Sequence, residues 1–427
     1  MLKKQLFRRL FITGFILSII ALQVQSSPEP INSPELIKSP EPINSPELIK
    51  SPEPINSPEL GNSPEPVKSL EPIKSPEPVK SLEPIKSPEP VKSLEPIKSL
   101  EPVKSPEIES APRDNQGRFT NQSGELSHGS LSVRLGFYLR RFGTLFRGDD
   151  GAPKRVVNEG AFLRDNISTP TVTWIGHATL LVQMEGVSFL TDPIWSQTPS
   201  PLPPVGPSRW VDPGMALEDL PSIDFVVVSH NHFDHLDIPT LRKLAARNAD
   251  TVFFVPLGNA DLLIKKGITQ VQELDWGETA QYKNIQVHCL PTQHWSKRKL
   301  SDTRKALWAS WAIIGSERRF YFAGDTGYFA GFKLIGDKLG PFDLAAVPIG
   351  AYEPRAMMAE THMNPEEAVQ AALDVQADTA LAIHFGTFDL SDEPLAEPPQ
   401  RFKAAARETV FGVDKSWVLD IGETRKF

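Results

Sequence analysis

Ser229-His230-Asn231-His232-Phe233-Asp234-His235-Leu236-Asp237 is the stretch that decides how this chain is read. It follows the apolar run 224–228 and precedes residues 239–248, which read as a helix with proline in its first turn. His230 and His232 are two residues apart, so on extended backbone both side chains leave the same side. Asp234 and His235 follow as the chain turns and can face a second ion beside the first. Imidazole and carboxylate groups without thiolate suit zinc, iron or manganese. The chain has nine histidines in 427 residues, so three of them with an aspartate inside six positions argue for a metal site over a solvated turn.

One loop does not complete two sites, and three later residues are candidates for the rest. His294 follows the strand-like run 285–290, Asp325 ends the run 320–323, and His384 ends the run 379–383. Polar residues that terminate apolar strands occupy the position where α/β folds place functional groups. Further strand-like runs lie at 171–175, 180–184, 187–191, 252–255, 308–314, 344–348 and 416–421. Asn364, Pro365 and Glu367 read as cap, first-turn proline and capping-box glutamate of a helix reaching residue 375. Residues 111–160 read as mixed, with a basic patch at Arg140, Arg141 and Arg147. Meandering strands followed by alternating strands and helices predict an α/β fold of two β-sheets flanked by helices.

The rest of the chain carries no chemistry. Lys3, Lys4, Arg8 and Arg9 precede an apolar run of about 15 residues, which fits a secretory signal peptide ending near residue 26, with an uncleaved anchor as the alternative. From 27 to 104 the sequence repeats every six residues (SPEPIN, SPELIK, SPEPVK, SLEPIK), and proline at this density excludes helix and central strand. The expected organisation is a signal at 1–26, an extended spacer at 27–110 and a catalytic domain at 111–427. A net charge of −8 argues against a nucleic-acid partner, and the single cysteine, Cys289, excludes an intrachain disulfide framework or a thiolate-rich zinc site.

H-x-H-x-D-H with a later histidine, a G-D-T aspartate and a strand-end histidine resembles the metallo-β-lactamase superfamily. Within it, WIGHATLLVQ, TDPIW, SHNHFDHLD, PTQHWSKR, FAGDTGY, NPEEAVQ and AIHFGTF are similar to the N-acylphosphatidylethanolamine-hydrolysing phospholipases D, in order over residues 115–425. The resemblance implies an αβ/βα sandwich and two zinc ions, with iron or manganese as substitutes. His230, His232 and His294 would bind one ion, Asp234, His235 and His384 the other, and Asp325 would bridge them; Asp234 and Asp325 are the catalytic carboxylates. Two divalent cations, two carboxylates and a hydroxide leave about +1, attractive to a phosphodiester anion. His362 would contact the substrate phosphate and Phe233 would line the substrate site, where the mammalian family member has tyrosine. Asp192 and His177 would orient the ligand residues from behind. The implied reaction releases an N-acylethanolamine and phosphatidic acid, and hydrolysis of another ester, a lactone or a soluble phosphodiester, is the alternative. The expected setting is an exported enzyme at a membrane surface, with a homodimer as a candidate assembly.

Overall fold

The computed structural model describes Val103–Lys104, residues 108–144 and residues 151–427, all belonging to a single unit. The expected signal segment, the hexad tract up to residue 102 and Arg147 lie outside the described residues. Seven strands form one sheet in the order β15-β2-β3-β4-β5-β6-β7 and eight form the other in the order β1-β8-β9-β10-β11-β12-β13-β14. In the first sheet these are β2 (Thr171–Gly176), β3 (Thr179–Met184), β4 (Val187–Thr191), β5 (Phe225–Val227), β6 (Val252–Pro256), β7 (Val271–Leu274) and β15 (Thr424–Lys426). In the second they are β1 (Val103–Lys104), β8 (Glu278–Tyr282), β9 (Ile285–Leu290), β10 (Ser310–Ile314), β11 (Arg319–Phe322), β12 (Phe342–Pro348), β13 (Ala377–Ile383) and β14 (Ser416–Trp417). Both sheets run antiparallel at first and then parallel: β4, β5, β6 and β7 pair in parallel in one, β11 through β14 in the other.

Side-chain alternation explains why the strands are apolar without a break. Leu180 and Val182 point into the layer between the sheets, whereas Leu181 points to the outer face, so both faces of β3 are covered. Between the sheets Phe189 stacks on Phe225 at 4.7 Å and meets Phe320 of the opposite sheet at 5.8 Å. The indole of Trp311 crosses the same layer and donates to the Val228 carbonyl at 3.1 Å, which satisfies its polar edge inside the core. Outside the first sheet, α3 (Ile238–Arg247) and α4 (Ala260–Ile264) bury Leu241, Leu244 and Leu263 against Leu190, Val226 and Phe253. Outside the second lie α5 (Gly331–Leu339), α7 (Pro365–Asp374) and α8 (Glu397–Arg407). Three shorter or peripheral helices complete the set: α1 (Leu131–Thr144), α2 (Ala161–Asp165) and α6 (Arg355–Met358). Among the described residues no helix is long and apolar enough to cross a membrane.

The expected two-sheet sandwich is the observed architecture, and the capping box of α7 forms as read: Asn364 Oδ1 accepts from Glu367 N at 2.8 Å, and Glu367 Oε2 accepts from Asn364 N at 2.9 Å. Three expectations need correction. The region 111–160 is not merely mixed, because it contains α1. The run 416–421 forms a strand only at Ser416–Trp417, and Ile421 makes an isolated parallel bridge to Arg155. The folded body also begins before residue 111: Val103–Lys104 pairs with β8 as an edge strand, and Ile108 is buried in the inter-sheet core. An edge position is the one place in a sheet that a proline-rich stretch can occupy, since one side of its ladder needs no donors.

Candidate metal centre

The site gathers at one end of the sandwich, where strands of both sheets run out. The loop after β5 brings His230, His232, Asp234 and His235. From the second sheet, His294 follows β9, Asp325 follows β11 and His384 follows β13. Every residue predicted as a metal ligand is therefore delivered to one place.

Two groups of donor atoms there hold the predicted ligands, the atoms of each lying within 4.8 Å of one another: His230, His232 and His294 in one, and Asp234, His235 and His384, with His177, in the other; Asp192 comes within the same distance of His230 and His235, and Asp325 and His362 of His294. In the first, His230 Nε2 is 2.8 Å and His294 Nε2 is 3.3 Å from His232 Nδ1. In the second, His235 Nε2 is 3.2 Å from His384 Nε2 and 3.3 Å from Asp234 Oδ2. Asp325 lies between them, with Oδ1 3.0 Å from His384 Nε2 and Oδ2 3.2 Å from His235 Nε2, 4.0 Å from His230 Nε2 and 3.9 Å from His294 Nε2.

The partners behind these rings fix which nitrogen carries the proton. His294 Nδ1 faces the Thr361 carbonyl at 3.0 Å, and a carbonyl only accepts, so Nδ1 carries hydrogen and Nε2 presents a lone pair to the site. His235 Nδ1 donates to Asp192 Oδ2 at 2.6 Å with the same consequence. Ser229 Oγ gives its own hydrogen to Asp192 Oδ2 at 2.5 Å and is left to accept from His230 Nδ1 at 2.9 Å. Three buried imidazoles thus aim lone pairs inward together with two carboxylates. Such a convergence is repulsive unless positive charge lies at its centre, and the donor set, nitrogen and oxygen without thiolate, fits zinc, iron or manganese. The electrostatics agree. Burial opposes charge on His384, yet Asp325 and Asp234 beside it push its pKa up to about 9. Burial likewise opposes charge on His235, but Asp325, Asp234 and Asp192 drive it well above the ordinary histidine value. Burial and the neighbouring His235 and His232 hold His230 well below that value.

Asp192 and His177 lie behind the two donor groups. Asp192 also accepts from the Ser229 N–H at 2.6 Å, so one fully buried carboxylate takes three donors. His177 Nε2 donates to Asp234 Oδ2 at 3.0 Å, and the His177 carbonyl accepts from the His384 N–H at 3.0 Å, linking both sides of the second group. His177, Asp192 and His384 all hold left-handed backbone, with φ of 55°, 34° and 60°. Conformations of that kind cost on the order of 1–3 kcal/mol each and persist where the surroundings over-determine them. His362, predicted to contact substrate, lies beside Asp325, its Nδ1 3.9 Å from Oδ2 and without a hydrogen-bond partner among the described residues. Phe233, also predicted at the substrate site, lies with its ring 4.0 Å from the Arg298 guanidinium carbon, and Arg298 ties the loop by donating to the carbonyls of Asn231 (2.9 Å) and Leu236 (2.8 Å). Ser229, Arg298 and the Thr361 carbonyl were not singled out from sequence. Only the adjacency of Ser229 to His230 could have pointed to one of them.

Gly324 shows how tightly Asp325 is placed. Its φ is +61°, and a Cβ there would lie 2.5 Å from Ser229 Cβ. Gly324→Ala should therefore cost roughly 2–4 kcal/mol through left-handed strain and overpacking, read as a fall in thermal stability with displaced Asp325 and reduced metal occupancy.

A family model described as a beta-lactamase superfamily domain matches residues 188–385. The chain is 47% identical over 265 residues to N-acyl-phosphatidylethanolamine-hydrolyzing phospholipase D 1 of Caenorhabditis elegans, covering 59% of this chain and 74% of that one. It is 45% identical over 248 residues to an uncharacterized protein of Mycobacterium tuberculosis, covering 57% and 66%. To the mitochondrial N-acyl-phosphatidylethanolamine-hydrolyzing phospholipase D of Saccharomyces cerevisiae it is 33% identical over 262 residues, covering 60% of this chain but only 55% of the yeast protein. Among solved structures, a possible metal-dependent hydrolase from Veillonella parvula superposes with a TM-score of 0.50 at 16% identity, over 61% of this chain and all of that one, a likeness of fold alone. The family model spans the loop after β5 and the strand ends that complete both donor groups, and, with the identity to the worm enzyme, the chain belongs to the N-acylphosphatidylethanolamine-hydrolysing phospholipase D family of the metallo-β-lactamase superfamily.

Proposed function

We propose that this chain is a metal-dependent phosphodiesterase of the phospholipase D type acting on N-acylphosphatidylethanolamines. Water adds to phosphorus, the P–O bond to the N-acylethanolamine breaks, that oxygen takes a proton, and phosphatidic acid is the second product. The observation that carries this reading is the pair of donor groups sharing Asp325, in a chain whose worm and yeast relatives bear that activity in their names. His230, His232 and His294 would hold one zinc ion, Asp234, His235 and His384 a second, and Asp325 would touch both; iron or manganese suits the same donors. Bound there, such ions supply Lewis-acid stabilisation of phosphoryl oxygens and a nucleophilic water at neutral pH.

The chain's own residues do the positioning. Asp192 keeps the His235 proton on Nδ1, and His177 steers one oxygen of Asp234. Arg355 donates to the His362 carbonyl at 2.9 Å and grips Glu367 of the capping box at 2.7 Å, so the loop bearing His362 is tied to the start of α7. With Nδ1 unpaired beside Asp325, His362 is placed to meet a phosphate oxygen. A hydrogen bond to a charged oxygen is worth about 1.5–3 kcal/mol, or roughly a ten- to hundredfold change in rate. His362→Ala should keep its metal and its fold while losing about that factor on a phosphodiester, as metal analysis and turnover on one preparation would read; a fully active variant would remove the residue from the substrate site.

A lipid substrate also suits α1, which seats Phe137 in the body and leaves Leu131, Leu135 and Leu139 exposed at the four-residue spacing of one helix face. The proposed setting is an exported enzyme joined through its proline-rich tract to a membrane or wall. Headgroup release from vesicles of N-acylated and of plain phosphatidylethanolamine, run beside a lactone panel, tests the assignment. Selective release from the N-acylated lipid is the expected result, and turnover confined to lactones would overturn it.

A further inference from the structure

The strap that precedes α1 carries none of the motifs that mark the active site, yet it is built into it. Ile108 and Phe119 are buried in the inter-sheet core, 2% and 1% exposed. The Ala111 N–H donates to Asp275 Oδ1 at 3.1 Å and the Phe119 N–H to the Arg304 carbonyl at 2.9 Å, so the strap is fastened to the loops after β7 and before β10. Between these anchors Asp114 closes a turn by accepting from the N–H groups of Gln116 and Arg118, each at 2.9 Å.

Two residues beyond Phe119, Asn121 lies against His294 and is 4% exposed. Its Nδ2 donates to the His294 carbonyl at 2.9 Å, and its Oδ1 accepts from the His294 N–H at 3.0 Å. Oδ1 accepts as well from the Trp308 indole at 3.0 Å. Two donors meeting one atom identify that atom as the oxygen and leave the amide a single orientation. The side chain therefore pairs with both backbone groups of His294 as a neighbouring strand would. The ring is held separately, by Nδ1 donating to the Thr361 carbonyl, with Nε2 turned to His232. Backbone and ring of the one ligand of the first donor group that comes from the second sheet are thus fixed by different parts of the chain.

We infer that Asn121 is a positioning residue for His294, so that the strap before α1 sets the affinity of the His230–His232–His294 group for its ion. This rests on the metal reading above and deepens it. A merely structural asparagine would weaken both ion sites alike or lower stability alone. A positioning one acts on a single group, because Asn121 makes no hydrogen bond to the residues of the Asp234–His235–His384 group.

The test uses the full chain stripped of metal and titrated with zinc alone against a chromophoric chelator, with thermal unfolding of the metal-free protein measured alongside. The wild-type chain should show two binding steps. Asn121→Ala should weaken one of them by about 10–100-fold, the usual effect of losing a partner behind a ligand, and leave the other unchanged. Asn121→Asp keeps an oxygen for the His294 N–H and the Trp308 indole but sets a second oxygen against the His294 carbonyl. It should weaken the same step, and it carries the test if the alanine variant does not fold. Two unaltered steps in a folded variant, or an equal loss at both, would overturn the inference while leaving the metal reading intact. A wild-type chain that bound no zinc would overturn both.

Discussion

Asp325→Ala should empty both ion sites and lower phosphodiester turnover by at least about a thousandfold. The expectation follows from where its two oxygens sit: one is 3.0 Å from His384, and the other 3.2 Å from His235 and about 4 Å from His230 and His294. Asp325 is 3% exposed, and burial would raise its pKa, but His235 and His384 hold it well below the ordinary carboxylate range. It is therefore the charge that faces both groups at once. Removing one member of a buried charge network costs about 3–5 kcal/mol of stability, and loss of the ions would forfeit Lewis-acid stabilisation worth several kcal/mol in the transition state, roughly a thousandfold or more at 1.4 kcal/mol per decade. Asp325→Asn keeps the shape and one acceptor oxygen, so it should retain more metal than the alanine variant and still lose most activity. Metal content and turnover read on the same preparation check both; an undisturbed metal pair in the alanine variant would remove Asp325 from the bridging position.

Asp192→Ala should be the costliest change outside the donor groups, destabilising the fold by about 3–5 kcal/mol even without metal. The carboxylate is fully buried and takes three donors, the Ser229 N–H, the Ser229 hydroxyl and His235 Nδ1. Burial pushes its carboxyl up from the usual value, against His235 and Ser229. Truncation leaves all three donors without an acceptor, and each unsatisfied buried group carries a penalty of about 1–3 kcal/mol. The His235 ring also loses the partner that keeps its proton off Nε2, and Ser229 loses the acceptor that orders it toward His230. Denaturant unfolding of the metal-free protein, followed by zinc titration, separates the two consequences. An unfolding midpoint equal to that of wild type would show the three donors satisfied elsewhere and contradict the argument.

What could be read in the sequence was what is local or what ends a strand. His230, His232, Asp234 and His235 announce themselves because four donors crowd one loop. His294, Asp325 and His384 were legible because each stops an apolar run. The residues that hold them were harder. Asn121 is 173 positions from His294, and Thr361 is 67 from it; a hydrogen bond across such a separation leaves no period or spacing to find. The strand β8 escaped because Glu278, Thr279 and Tyr282 are only partly covered, Gln281 is exposed and one residue, Ala280, is buried. The helix α1 escaped for a related reason: its leucines face outward, so its apolar pattern describes an exposed side instead of a core-facing one. Cysteine, charge and proline counts bounded the protein's class, but the donor-rich loop and the polar strand ends located the candidate site.

Metal-supported hydrolysis at phosphorus leaves a record in where the oxygen of water ends up. The metal-loaded full chain would be given N-acylphosphatidylethanolamine vesicles in water enriched in oxygen-18, with and without prior treatment by a zinc chelator. One heavy oxygen is expected in the phosphate of phosphatidic acid, none in the hydroxyl of the released N-acylethanolamine, and no release of either after chelation. Label in the alcohol instead, or release that persists in the chelated protein, would contradict metal-supported hydrolysis at phosphorus.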